Sequence, residues 1–176
     1  MKREIHLVLG PVGAGKSTYA MALAEEHRAI RLTLDDWMTR LFRPDRPAEG
    51  VMDWYVERAA RCTEQIWEVT CSAMSVQVPV VLEIGLIRRA DRERLYGWVE
   101  AEAAELTIHL IDAPRDVRRE RVLGRNRDRG ATFSVEVPPA FFELASDLWE
   151  PPDEGERERY RVVVPTQEHL DSLPRP

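Results

Sequence analysis

The chain has 176 residues, 44% hydrophobic and 32% charged, enough for one domain with a substantial core. Its net charge of −6 disfavours a broad nucleic-acid surface, and no apolar run approaches the roughly 18 residues of a membrane helix. Two cysteines and four scattered histidines provide neither a disulfide framework nor a close Cys/His set for structural zinc.

The N-terminal MKREIHLVLG has the charge and short apolar run of a signal peptide. It continues into glycine and lysine without a small-residue cleavage site, so Ile5–Leu9 reads as a first strand and a cytoplasmic location is expected. A helix over Lys16–Arg28 and a strand over Ile30–Leu34 follow. The proline-rich, charged RLFRPDRPAEG, Arg40–Gly50, is expected to be a loop or mobile flap. Met52–Ser75 reads as a long helix, with Tyr55, Ala59, Cys62, Ile66, Val69 and Ala73 at steps of four and three. Cys62 and Cys71 on it would stand roughly 13 Å apart, too far for a disulfide, and are expected to be half-buried packing residues. Then come a strand over Val78–Ile84, a helix over Ala90–Ala104, a strand over Leu106–Ile111 and a helix over Pro114–Arg125. An irregular stretch over Asn126–Pro138, a helix over Pro139–Leu148 and a strand over Arg161–Val164 complete the pattern. A polar tail, about 165–176, is expected to be only partly ordered. Short, nearly continuous apolar strands alternating with helices predict an α/β fold whose mainly parallel sheet is covered on both faces, with residues 1–176 forming one domain.

Residues 10–17, GPVGAGKS, fit G-x-x-x-x-G-K-[ST] between a predicted strand and a predicted helix, the context this pattern requires. Glycines let successive backbone N–H groups converge where side chains would block an anion, and the next helix adds its free donors and positive dipole end. Lys16 can reach β- and γ-phosphates, and the Ser17 hydroxyl can ligate Mg²⁺. This stretch therefore predicts a nucleoside triphosphate site.

Phosphoryl transfer also needs an acceptor-side base, positive charge over the moving group and metal support. Asp35 and Asp36 follow the second strand at the sheet edge where α/β folds bind ligands; Asp35 is assigned to chemistry and Asp36 to capping or support. Glu83 ends the third strand, placed to orient a water on Mg²⁺, to bind the acceptor, or to serve as a paired structural carboxylate. Only two lysines occur against 23 arginines, and seven of the arginines fall between Arg115 and Arg129. Arg118, Arg121 and Arg125 share one helix face, and the string runs on to Gly130. This predicts an arginine-bearing lid, about 125–138, hinged at Gly130, with Arg121 and Arg125 over the triphosphate. Trp37, Phe42, Trp54, Tyr55 and Trp67 are either core packing or a stacking floor for a ring-bearing acceptor. Arg88, Arg89 and Arg92 either hold an anionic group on it or form a solvated helix start.

GPVGAGKST, LTLDD, VVLEIGL, IDAPRDVRRERVLGRNRDRG and WEPPDEGE occur in the order seen in small P-loop kinases. Over about residues 4 to 165 the chain resembles the AAA-like ATP-binding family related to the kinase domain of polynucleotide kinase, chloramphenicol phosphotransferase and zeta toxin. The resemblance implies a nucleoside-monophosphate-kinase-like P-loop fold with five parallel strands ordered 2-3-1-4-5. It also implies ATP and Mg²⁺, with transfer to a hydroxyl. The implied nucleotide-binding set is Gly10, Pro11, Val12, Gly13, Ala14, Gly15, Lys16, Ser17 and Thr18, with Arg121 and Arg125. The implied catalytic residues are Lys16, Asp35, Arg121 and Arg125, with Ser17 on the metal and Glu83 on it through water. Two positions depart from the family: Glu83 stands where Asp is common. Met38 replaces the arginine that polynucleotide kinases carry three residues after the base. The expected acceptor is a hydroxyl of a small molecule, such as a sugar, nucleoside or antibiotic-like compound. A polynucleotide 5′-hydroxyl acceptor stays open through Arg40 and Arg43, and so does a non-kinase ATPase or nucleotide switch.

Overall fold

The computed structural model describes residues 3–128 and 136–173. Five parallel strands run in the order β2-β3-β1-β4-β5: β1 Glu4–Leu9, β2 Ile30–Thr33, β3 Val80–Glu83, β4 Glu105–Leu110 and β5 Arg161–Val163. This is the predicted sheet and order. β1 lies at the centre, with Ile5 opposite Val80 of β3 and Leu106 of β4. Alternation along β1 divides the core. Ile5, Leu7 and Leu9 pack with Ile66, Leu82, Tyr96 and Ile108 on one face, while Val8 packs with Ala14, Tyr19, Ala20 and Leu23 on the other.

Helix α1 spans Lys16–His27, α3 Val51–Ser75, α4 Arg89–Ala101, α5 Arg115–Asp128 and α6 Pro139–Asp147. On α3 the predicted apolar stripe holds at Cys62, Ile66 and Ala73, which are buried. At its first turns the stripe is less covered, and Tyr55 is 39% exposed. No described helix is long and apolar enough to cross a membrane.

Three segments are more ordered than their composition predicts. A short helix α2, Leu34–Trp37, continues into a π-helical turn, Met38–Phe42, and a 3₁₀ turn, Arg43–Asp45, so the predicted flap begins as a wound segment. Its apolar side, Trp37, Met38 and Phe42, packs on the core. The polar tail forms α8, Gln167–Ser172, with Leu170 packed against the α1 layer.

The third segment is the charged EGERER, which forms α7, Glu154–Arg159. Asp153 and Glu156 make a capping box there, each side chain accepting from the other's backbone N–H. Glu156 also accepts from the fully buried Arg92 at 2.6 and 2.8 Å and from the Tyr96 hydroxyl at 2.7 Å. Arg92 is thus neither an anion holder nor a solvated helix start, as the sequence allowed, but half of an interior ion pair. Arg89 pairs with Asp153 and Glu93. Burial alone would raise the Glu156 carboxyl, but the hydrogen bonds from Arg92, Tyr96 and the Asp153 N–H outweigh it and pull it down to about 2.

Removing one member of a buried pair strands the other, at a cost of about 3–5 kcal/mol. Arg92→Ala is therefore expected to lower unfolding free energy by about that amount in urea titrations. Because the Glu156 value is depressed below the ordinary glutamate value of about 4.3, its contribution is complete above that value and is lost as pH falls toward 2. The variant should lose this acid-side slope; a wild-type slope would contradict the pairing.

Candidate active site

Between β1 and α1, residues 10–15 turn the chain through glycines that other residues would not replace. At Gly13, with φ 80°, an added Cβ would stand 2.6 Å from the Arg118 carbonyl oxygen; at Gly10 it would stand 2.0 Å from that of Ile111. Gly15, with φ 102°, leads into α1, whose first N–H groups have no intrahelical acceptors and face the loop's mouth.

The loop is held from outside by α5. Arg118 is buried and donates to the carbonyl oxygens of Val12 and Ala113, both at 3.0 Å, and to the Ser146 hydroxyl at 3.1 Å. Its guanidinium lies 5.5 Å from the Phe142 ring centre. Arg121 donates to the Ala14 carbonyl at 3.2 Å. The Val12 and Ala14 carbonyls are thus tied down from behind, while within the loop the Ala14 N–H donates to the Pro11 carbonyl at 3.3 Å. Arg118 shares a helix face with Arg121 and Arg125 and, as the buried member, braces the loop.

Lys16, Asp35, Glu83 and Arg125 gather near the loop within electrostatic reach of one another, and the space among them is the candidate cleft. Lys16 folds back so that Nζ donates to the Pro11 carbonyl at 3.0 Å. The surrounding protein lowers its pKa, a push opposed by Glu83 and Asp35 and reinforced by Arg125 and Arg118. Solvent reaches Asp35 from the cleft mouth, yet the enclosing protein raises its carboxyl pKa against the pull of Lys16 and Arg125. The Arg125 Nε is buried without a hydrogen-bond partner among the described residues. Asp35 and Glu83 offset its desolvation only partly. A donor left so inside a cleft is a polar group awaiting an acceptor.

Glu83 is fixed on both sides. It accepts from the Ser17 hydroxyl at 2.6 Å and from Arg31 at 3.0 Å, while burial raises its carboxyl. The Ser17 proton is thereby committed to Glu83, and the oxygen's lone pairs remain for a cation. This donor set fits magnesium, a hard ion that takes few protein oxygens. Arg31 also pairs with Asp36 at 3.3 Å. Asp36 is support, not the cap: Thr33 caps α2, accepting from the Asp36 N–H at 3.1 Å. Neither Thr33 nor Arg31 was singled out from sequence, because their partners come from β3 and α2.

Of the aromatic residues, Trp37, Phe42, Trp54 and Trp67 pack on the core, and Arg58 stacks over Trp54 at 4.9 Å. The Tyr55 phenol is within electrostatic reach of Asp35. Crowding around its phenol and the charge of Asp35 push it up to about 12, so it remains a protonated donor. Met38 is 6% exposed, turned inward where the polynucleotide kinase arginine would reach a phosphate. The first turn of the predicted lid continues α5 to Asp128, and Gly130 lies outside the described residues. Asn126 donates to the Val137 carbonyl at 2.8 Å and accepts from the Val137 N–H at 3.1 Å.

The sequence pattern of the AAA domain family runs through residues 5–146. The chain belongs to that family. No curated protein matches this AAA domain protein by sequence. Its fold is similar to that of a gluconokinase from Sinorhizobium meliloti 1021, with 19% identity, TM-score 0.62, 97% of this chain and 87% of that one covered. A sugar kinase from Janibacter sp. HTCC2649 aligns at 15% identity and TM-score 0.63 over 95% of this chain and 89% of its own. Kti12 of Chaetomium thermophilum, solved in complex with ADP-AlF3, aligns at 13% identity and TM-score 0.68 over 96% and 94%. The predicted P-loop kinase-like architecture is thus borne out at the level of family and fold.

Gly13→Ala forces a Cβ against the Arg118 carbonyl at a left-handed φ, a strain of about 1–3 kcal/mol. It is expected to weaken ATP binding about tenfold or more by calorimetry while leaving the far-ultraviolet circular dichroism unchanged. Wild-type affinity would contradict the close approach.

Proposed function

We propose that this AAA domain protein is an ATP-dependent kinase that moves the γ-phosphoryl group of ATP to a hydroxyl of a small molecule. One observation carries the reading: the Asp35 carboxylate shares the cleft, and interacts electrostatically, with the loop lysine Lys16 and with Arg125. A protein that only bound or hydrolysed nucleotide has no need of an acceptor-side carboxylate there.

In this reading the loop's N–H groups and Lys16 bind the phosphates, and Arg121 and Arg125 supply charge at their outer side. Asp35 accepts the proton of the acceptor hydroxyl as that oxygen bonds to the γ-phosphorus. The bond from phosphorus to the bridging oxygen breaks, and ADP leaves with the electron pair. Ser17, and Glu83 behind it, would hold magnesium, which when bound neutralises developing charge on the phosphates. Tyr55, as a neutral donor beside Asp35, orients the acceptor, and the exposed Leu41, Met52 and Val56 on the same segments suit an acceptor with apolar surface. The inward Met38 and the net charge of −6 favour a small molecule over a polynucleotide. Phosphoryl transfer to a hydroxyl is also the reaction class of the sugar kinases that share the fold.

Asp35→Asn is expected to lower transfer about 10²–10⁴-fold with ATP affinity nearly unchanged, and Lys16→Ala to lower it about 10²–10³-fold. The test is γ-labelled ATP with sugars, nucleosides, aminoglycosides and oligonucleotides in parallel. Label on a small molecule supports the reading, label on oligonucleotides alone replaces it with a polynucleotide kinase, and label only in free phosphate replaces it with an ATPase. Because Asp35 works deprotonated and its pKa is raised, the acid limb of kcat/KM should lie above the ordinary aspartate value of about 3.9. A limb at or below that value would contradict its role.

A further inference from the structure

The four histidines of the chain, far apart in sequence, meet on the α1 side of the sheet. His6 on β1 and His109 on β4 face the same way, their Nδ1 and Nε2 atoms 3.0 Å apart. His27 ends α1 with its ring 4.2 Å from that of His6, and His169 of α8 stands edge-on to Tyr19 at 6.1 Å. The meeting follows from matched lengths. Six strand residues of β1 carry the chain about 20 Å toward the phosphate loop, and twelve helical residues of α1 bring it back about 18 Å. The end of α1 therefore returns level with the start of β1.

From this geometry we infer a binding site for a zinc-class divalent metal ion, ligated by Glu4, His6 and His27. One ligand atom from each lies within 4.8 Å of the other two. Glu4 and His6 are two apart on one strand and share a face, and the His6 Nε2 stands 3.4 Å from the Glu4 Oε1. That separation matches the edge of about 3.3–3.5 Å expected between ligands of a tetrahedral zinc ion with bonds of about 2.0–2.2 Å. His27, on the helix end, closes the remaining distance by a side-chain rotation. Two imidazoles and a carboxylate suit zinc, cobalt or nickel over magnesium or calcium, which prefer oxygen alone.

The surroundings supply what such a ligand needs behind it. A metal-bound imidazole donates through its other nitrogen to a fixed acceptor. The His6 Nδ1 reaches the His109 Nε2, and the His109 Nδ1 reaches the Tyr19 hydroxyl at 2.8 Å. Every member of this line can donate or accept. The line can therefore run from His6 outward to Tyr19, which leaves the His6 Nε2 lone pair for the metal. An ion there ties the end of α1 to the start of β1 and closes the strand–loop–helix unit at the end opposite the phosphate loop. The fourth position stays open to water.

The experiment uses tag-free full-length protein in excess Mg²⁺, which keeps the Ser17 site occupied. One equivalent of Co²⁺ is expected to bring up the intense visible bands of a four-coordinate site, and Zn²⁺ to bleach them at one equivalent. His27→Ala and Glu4→Gln change partly exposed groups and should fold normally by circular dichroism. Each should weaken Co²⁺ binding at least tenfold, while Ser17→Ala leaves the bands intact. Absence of stoichiometric binding in the parent protein would overturn the site. So would wild-type affinity in His27→Ala, or bands lost in Ser17→Ala instead.

Discussion

A loop that presents backbone N–H groups to an anion must not fold in on itself when the anion is away, and its carbonyls are the danger. In this protein Arg118 meets that constraint. By taking the carbonyl oxygen of Val12 from behind while bonding that of Ala113 at the foot of α5 and stacking on Phe142, it fixes the loop to the α5–α6 layer. Gly13 approaches so closely because it is the Arg118 carbonyl itself that limits the space. Brace and loop are one unit, and the carbonyl of Val12 is held away from the side where a phosphate would bind.

The cleft in front carries the opposite bias. Lys16 and Arg125 hold positive charge under crowding that disfavours it, and Asp35 and Glu83 hold negative charge under the same penalty. The two signs partly compensate without direct pairing of Arg125, whose Nε has no partner among the described residues. A site that left both signs solvated would gain nothing from a bound polyanion. One that paired them fully would need to break those pairs to admit it. The arrangement lies between: Glu83 is satisfied by Ser17 and Arg31, while the Arg125 Nε has no acceptor among the described residues.

Much of this was legible in the sequence because the signals were local. The glycine spacing, Lys16 and Ser17 define the loop by chemistry at fixed offsets, and near-continuous Val, Ile and Leu runs define buried parallel strands, whose order is as the family resemblance implied. What escaped depended on partners distant in the chain. The roles of Arg118 and Arg92 depend on Val12 and Glu156, 106 and 64 residues away, so a helix face rich in arginine could not reveal which arginine was buried. EGERER looks like solvated charge until Asp153 and Glu156 cap it from both sides. The scattered histidines gave no metal signal, because only the equal lengths of β1 and α1 bring Glu4, His6 and His27 together.

The central claim is that a γ-phosphate bound at this loop lies between Lys16 and Asp35, with Arg125 as its further partner. A crystal structure with a non-hydrolysable ATP analogue and Mg²⁺ tests it most directly. The account predicts Lys16 Nζ transferred from the Pro11 carbonyl to the β- and γ-phosphates, the Arg125 Nε donating to a phosphate oxygen, and the Asp35 carboxylate facing the γ-phosphorus across space for a hydroxyl. A γ-phosphate directed away from Asp35, with Arg125 still unengaged, would contradict it.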